Sequence, residues 1–120
     1  MIKILVSILF LFSFSYQSSA ETFMSAFEEI PLQEGVEEMD NALYFDNEDV
    51  RIIEQYISST VVSKDDFLKF YKETLKSLGW KLTETYTDKL SFKREDEQLI
   101  LNIESDEPLV VLFTLKPYEK

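Results

Sequence analysis

Residues 63–80 carry the clearest alternation of apolar and polar positions in the chain, and they predict one amphipathic helix. The apolar positions recur at spacings of three and four, which places them on one stripe of a helix. They are Phe67, Phe70, Tyr71, Leu75 and Leu78. Ser63 is suited to cap the start, with Asp66 three residues later, and Gly79 is suited to end the helix in a left-handed conformation.

Shorter apolar segments flank this helix and predict six strands. Two precede it, at residues 43–45 and 50–60, joined by a turn at residues 46–49. Three alternating segments follow it, at residues 80–86, 90–92 and 98–103. The last segment, residues 109–115, is apolar at almost every position, as expected of a central strand covered on both faces.

The order β-β-α-β-β-β-β predicts an α+β fold, in which one amphipathic helix packs across one face of an antiparallel β-sheet. We expect a single domain over residues 43–117, preceded by an irregular acidic lead-in at residues 21–42. Within this lead-in, the spacing of Phe23, Phe27 and Ile30 predicts a short helix before Pro31. We expect the segment to place Phe27, Ile30 and Leu32 on the edge of the sheet.

The first twenty residues have the three parts of a secretory signal peptide. Lys3 provides a short positive region, residues 4–14 form an apolar core, and the small residues at 18–20 fit a cleavage site before Glu21. The apolar run is shorter than the about 20 residues that a membrane-spanning helix needs. We therefore predict export and cleavage after residue 20, with an uncleaved N-terminal anchor as the alternative.

The absence of cysteine narrows the expected compartment. A chain without Cys has neither a disulfide framework nor a cysteine-linked lipid anchor. Small extracellular domains of eukaryotes normally carry disulfides. The sequence therefore favours a bacterial exported protein, with the periplasm as the expected location.

Acidic residues dominate the charge of the chain. Its net charge of −11 repels phosphate backbones and anionic lipids, so we predict no nucleic-acid binding and no membrane association after signal cleavage. Basic partners and cations are attracted by the same charge. An acidic surface that only keeps a small protein soluble is the alternative explanation.

Most catalytic and metal-binding chemistry lacks its usual residues. The chain has no His, no Cys and only two Gly, which excludes nucleophile–histidine triads, thiol redox motifs, common zinc sites and glycine-rich phosphate loops. We predict no catalytic residue, no cofactor and no metal site. A carboxylate pair formed by Glu54 and Glu84 is the remaining candidate for a hydrolase.

Asp46, Glu48 and Asp49 are weak candidates for an acidic site, because carboxylate oxygens at this density suit Ca²⁺. Their spacing does not match an EF-hand loop, and a solvated acidic turn is the alternative.

Aromatic residues supply a candidate binding patch. Trp80 and Tyr86 occupy alternate positions of one predicted strand and so share a face, with Tyr56 nearby. Such a patch binds sugars or apolar peptides, and packing in the core is the alternative role.

The segment from Phe70 to Trp80 resembles a helix signature, FYxxxLxxLGW, of small exported bacterial proteins, largely from alphaproteobacteria. Phe70, Tyr71, Leu75 and residues 78–80 carry the match. The resemblance covers about residues 30–116 and implies a helix between strands, behind a signal peptide. The group has no assigned activity, so the resemblance implies no catalytic residue.

These observations favour an exported, non-enzymatic binding protein. Its expected partner is a protein or a small molecule. The sequence determines neither the identity of this partner nor the oligomeric state of the protein. One alternative is an inhibitor or immunity-type protein whose acidic face neutralises a basic target. The other is a carboxylate-based hydrolase.

Overall fold

A computed structural model of the protein describes residues 22–46 and 51–118. These two ranges contain eight strands and one helix in the order β1 (Thr22–Phe23), β2 (Pro31–Leu32), β3 (Glu37–Asp46), β4 (Arg51–Ser59), α1 (Lys64–Ser77), β5 (Lys81–Tyr86), β6 (Lys89–Arg94), β7 (Glu97–Asp106) and β8 (Leu109–Pro117). The predicted signal peptide and most of the predicted turn at residues 46–49 lie outside the described residues.

The main sheet has six antiparallel strands in the order β3-β4-β8-β7-β6-β5. Hairpins join β5 to β6, β6 to β7 and β7 to β8, and the chain then returns β8 to the middle of the sheet, beside β4. The predicted α+β class, with one helix packed on an antiparallel sheet, is confirmed.

The helix begins and ends at the predicted residues. The side chain of Ser63 accepts a hydrogen bond from the backbone N–H of Asp66 at 3.2 Å, which caps the first turn. At the other end Gly79 has a φ of +94°, and the N–H of Trp80 donates to the carbonyl of Leu75 at 2.9 Å. This arrangement is a Schellman motif, which satisfies carbonyls that the helix itself leaves unpaired.

The buried stripe of α1 packs on the centre of the sheet. Phe67, Tyr71 and Leu75 are fully buried, whereas Phe70 is half-buried and Leu78, just past the helix, is partly exposed. The Tyr71 ring lies edge-on to Phe113 of β8, with 5.3 Å between the ring centroids. Because β8 lies in the middle of the sheet, this contact places the helix over the core rather than over an edge.

The segment before β3 differs from the prediction. It contains the short pair β1–β2 rather than a helix, with Phe23 opposite Pro31. Met24, Phe27 and Ile30 are buried in the core, and the Phe27 ring lies 6.3 Å from Phe113 in the middle of the sheet, not at its edge. A helix is disfavoured there because the residue before a proline is pushed away from helical dihedral angles.

Strand β3 is longer than predicted. It begins at Glu37, inside the segment predicted to be irregular, and its first three residues pair with β4. Acidic residues have low strand propensity, so the sequence at 37–40 does not indicate a strand. Pairing with the strongly β-prone strand β4 overrides that propensity.

In the described part of the protein, the two faces of β8 are buried unequally. Leu109, Val111 and Phe113 are buried in the core on the helix side, whereas on the opposite face Val110 and Leu112 are half-buried and Thr114 is buried. Within residues 22–46 and 51–118, α1 and the N-terminal segment lie on the same side of the sheet and no element covers the other side, so the prediction that this strand is covered on both faces is wrong.

Candidate binding surface

The face of the sheet opposite α1 is called the open face here, and it displays apolar side chains at its β3 and β4 end. Met39, Leu43, Phe45 and Tyr56 are 37%, 53%, 51% and 39% exposed, respectively. Met39 lies directly opposite Tyr56 in the pairing of β3 with β4. Glu54, opposite Leu43 on the same face, lies between Tyr56 and Ile52 along β4, so the apolar side chains surround one carboxylate. Exposed apolar side chains gathered in this way mark a candidate interaction site.

Alternation along β4 explains why this face is apolar. Ile53 and Ile57 point toward the helix and join the core, so Ile52 and Tyr56 point the other way. The open face continues from Tyr56 onto Leu112 of the neighbouring strand β8. On this side β4 also carries Glu54 and Ser58, so Ile52 and Tyr56 are apolar residues at a mixed surface, and core packing does not account for them.

The outer strand β3 exposes three consecutive apolar residues, Leu43, Tyr44 and Phe45, which are called the β3 edge here. Leu43 and Phe45 lie on the open face and Tyr44, 63% exposed, lies on the helix side. A bulge between Met39 and Leu43 precedes them, and the side-chain amide of Gln55 donates to the carbonyl of Met39 at 2.9 Å. Beyond the bulge, the three residues of the β3 edge pair in regular register with Glu54, Ile53 and Ile52 of β4.

Tyr44 also borders a groove on the helix side of β3. The groove has a volume of about 560 Å³ and is lined in addition by Phe27, Glu28, Trp80 and Leu115. The β3 edge is therefore accessible from both sides of the sheet.

Formal charge is strongly segregated along the chain. Residues 21–60, which include β1 to β4, contain eleven Asp and Glu and one Arg, whereas residues 61–118 contain eleven acidic and nine basic residues. Strands β3 and β4 form one end of the sheet and carry five of these acidic residues, Glu37, Glu38, Asp40, Asp46 and Glu54, with Arg51 as their one basic residue.

The opposite end of the open face has a different character. Lys81, Lys89 and Lys93 project there from β5 and β6, as their pairing with open-face residues requires. The hydroxyl of Tyr86 donates to the carboxylate of Glu84 at 3.1 Å, and this hydrogen bond raises the pKa of Tyr86. The open face thus runs from an acidic and apolar end to a basic and polar end.

Trp80 does not join the other aromatic residues of the predicted patch. It is only 3% exposed, and the guanidinium of Arg94 lies 4.5 Å from the centre of its ring. A bulge between Leu82 and Glu84 adds one residue to β5, so Trp80 and Tyr86 face opposite sides of the sheet. The assumption of strict alternation along β5 was wrong for this reason.

Tyr56 and Tyr86 do share the open face, but they are far apart. Tyr56 is on β4 and Tyr86 is on β5, four strands further along the sheet, or about 19 Å at the usual strand spacing. They belong to different ends of the face. Of the predicted patch, Tyr56 alone lies in the apolar part of the surface.

The carboxylates considered for catalysis are also separated. Glu54 on β4 lies opposite Leu43, and Glu84 lies on β5, again four strand spacings or about 19 Å away along the sheet. Glycosidase carboxylate pairs are roughly 5–10 Å apart. Glu54 and Glu84 therefore do not form such a pair.

The acidic-site candidates fall outside the described part of the protein. Glu48 and Asp49 lie between the described ranges, and Asp46 ends β3 with a side chain that is not described. Within residues 22–46 and 51–118, Asp and Glu side chains nowhere gather into a group of three that could hold a metal ion. Across the same ranges, no helix is long and apolar enough to cross a membrane.

Comparison of the sequence with protein-family models, curated proteins and solved structures finds no match. The resemblance to small exported bacterial proteins stays a prediction. The geometry of the open face and of the β3 edge is therefore the basis for the functional proposal.

Sequence reasoning missed Leu43, Tyr44 and Phe45 as functional candidates. The signal that could have revealed them is a run of three large apolar residues next to an acidic turn, in a strand that no amphipathic alternation accounts for. Only the strand order shows that this run lies at the edge of the sheet, because the sequence places β3 beside β4 without saying what lies on its other side.

Proposed function

We propose that this chain is an exported, non-enzymatic protein that binds a protein partner through the apolar, acidic end of its open face. The observation that carries the proposal is the exposed apolar row of Met39, Leu43, Phe45 and Tyr56. Burying such a row against a partner gains roughly 25 cal/mol per Å² of apolar area removed from water. Aromatic and Met side chains are also the types enriched at protein interfaces.

The cellular location is part of the proposal and rests on the sequence. The signal-peptide pattern of residues 1–20 supports export, and the lack of Cys supports a bacterial periplasm. The partner would then be another exported protein or an exposed part of an envelope protein.

A second candidate function is an inhibitor or immunity-type protein for a basic target. The segregation of charge favours it, because eleven of the acidic residues precede residue 61 and only Arg51 offsets them in the mature chain. Clusters of one charge accelerate association with an oppositely charged target and make it sensitive to salt.

One experiment separates these functions. The mature protein, immobilised on a resin, is used to capture binding proteins from a periplasmic extract at low and high salt. Tyr56→Ser and Tyr86→Ser are a matched pair, since both remove an exposed tyrosine from the open face, one at each end. Unfolding of each variant in denaturant confirms that both still fold.

The proposal expects a captured protein whose retention falls about tenfold or more with Tyr56→Ser and is unchanged with Tyr86→Ser. Retention at about 1 M salt identifies apolar binding, whereas loss at that salt identifies the inhibitor-type function. Equal retention by both variants and the wild type would contradict binding through this end of the open face.

A further inference from the structure

Strand β3 ends the sheet on the acidic side. Among the described residues, no strand pairs with its outer side, so its outward N–H and C=O groups are available for a further strand. Natural proteins usually protect such an edge with charges, bulges or a covering element.

Both edge strands carry charged residues and a bulge, but they differ in the side chains that they expose. The far edge, β5, is largely polar and carries Lys81, Thr83, Glu84 and Thr85. At the β3 edge, by contrast, Leu43, Tyr44 and Phe45 are all more than half exposed. The β3 edge is therefore the one with side chains that a partner strand could cover.

The surroundings of the β3 edge suit the alternating side chains of an added strand. Residues of such a strand that point to the open face would lie beside Leu43 and Phe45. Residues that point the other way would lie beside Tyr44, whose inner side borders the groove. Strand addition uses this combination, with backbone hydrogen bonds for affinity and pockets for alternate side chains.

The acidic residues of β3 favour a basic partner segment over a second copy of the same strand. The β3 strand itself has the acidic residues Glu37, Glu38, Asp40 and Asp46 and no basic residue. Two copies of β3 would bring like charges together, which opposes self-pairing. A segment with Lys or Arg around an apolar centre would instead be attracted, and Glu28 on the groove wall offers a carboxylate to such a segment.

We infer that the β3 edge binds an extended segment of a partner protein as a seventh strand of the sheet, and that this segment is apolar at alternate positions and basic at its ends. The inference rests on the proposed function and adds the mode of binding and the chemistry of the partner.

The test uses a short capped peptide of alternating Val and Thr residues with Lys at both ends. Its first control has the same sequence with alternate backbone nitrogens methylated, which removes strand hydrogen bonding. A second control replaces Lys with Glu. Binding to the mature protein is measured by calorimetry, and amide hydrogen exchange locates the contact. Phe45→Ser and Tyr86→Ser are matched variants, because these two exposed aromatic residues lie near the ends of the two edge strands.

The inference expects the unmodified peptide to bind and to slow exchange at residues 43–46, but not in β5. Methylation should weaken binding roughly tenfold or more, as expected for the loss of several hydrogen bonds. The peptide with Glu at its ends should bind more weakly than the peptide with Lys. The Phe45→Ser variant should bind the Lys peptide more weakly than the wild type does, and Tyr86→Ser should bind it equally well.

Other outcomes overturn strand addition. These are no binding of the unmodified peptide at millimolar concentration, equal binding of the methylated peptide, protection in β5, or protection of β3 by concentration-dependent dimers without peptide. If the peptide result is negative while partner capture still depends on Tyr56, strand addition falls and the proposed function stands. If partner capture is also independent of Tyr56, both fall.

Discussion

The hydroxyl of Tyr71 donates a hydrogen bond to the carbonyl of Pro31, 2.8 Å away and forty residues earlier in the chain. The same hydroxyl accepts a hydrogen bond from the N–H of Gln33 at 3.1 Å. A buried residue of α1 thus anchors the backbone at β2, where the N-terminal segment leads into β3. These two hydrogen bonds link α1 to the segment that leads directly into β3.

Tyr71→Phe should therefore destabilise the protein by about 1–3 kcal/mol, because Pro31 loses its hydrogen-bond donor in a buried environment. Denaturant unfolding of the mature protein measures this change. Tyr56→Phe is the control, since its hydroxyl belongs to an exposed side chain, and it should stay within about 0.5 kcal/mol of wild type. Equal effects of the two substitutions would mean that the Tyr71 hydrogen bonds contribute nothing specific.

Burial raises the pKa of Tyr71 from 10.0 to about 12. The unfolded chain then releases the proton at lower pH than the folded protein does. The protonated Tyr71 hydroxyl therefore contributes fully to the free energy of unfolding below about pH 10. As the pH rises toward 12, the free energy of unfolding falls by roughly 2–3 kcal/mol in total. Unfolding of wild type and Tyr71→Phe from about pH 9 to pH 11.5 isolates it. Parallel losses of stability in the two proteins would contradict the assignment.

Gly35 and Gly79 should respond differently to alanine, although their φ angles are +92° and +94°. A Cβ at Gly79 would lie 3.6 Å from the Cδ of Arg94, so Gly79→Ala should cost only the backbone strain of about 1–2 kcal/mol. A Cβ at Gly35 would lie 2.9 Å from a methyl of Val61 and must displace it, so Gly35→Ala should cost more. Denaturant unfolding of both variants measures the two costs. A larger loss in free energy of unfolding for Gly79→Ala than for Gly35→Ala would contradict this order.

Leu75→Ala should lower the free energy of unfolding by about 2–5 kcal/mol, because Leu75 is fully buried between α1 and the sheet and its truncation leaves a cavity. Lys72→Ala, on the exposed side of the same helix, should change the free energy of unfolding by less than about 0.5 kcal/mol. Equal costs for these two neighbours on α1 would mean that the helix packs with a different face.

Cleavage of the signal peptide should leave a mature protein that begins at Glu21. N-terminal sequencing of protein recovered from the periplasm measures this directly. An intact Met1 in the membrane fraction would instead support the uncleaved anchor.

Local sequence rules were sufficient for the helix. The signals for its ends and its buried face act between residues only a few positions apart, so the sequence alone predicts them. They are the cap Ser63, the apolar stripe of Phe67, Tyr71 and Leu75, and Gly79. The four strands after α1 were also predicted, because hairpin connections make neighbours in sequence neighbours in the sheet.

Pairing between distant segments decided the rest. The first residues of β3 become a strand because they lie beside β4, and that neighbour overrides their weak propensity. The bulge after Leu82 turns Tyr86 away from Trp80, and a bulge arises from the register between two strands, which neither strand encodes alone. The candidate site depends on such long-range facts, since Leu43, Tyr44 and Phe45 form an exposed edge only because β8 returns to the middle of the sheet and leaves β3 outside.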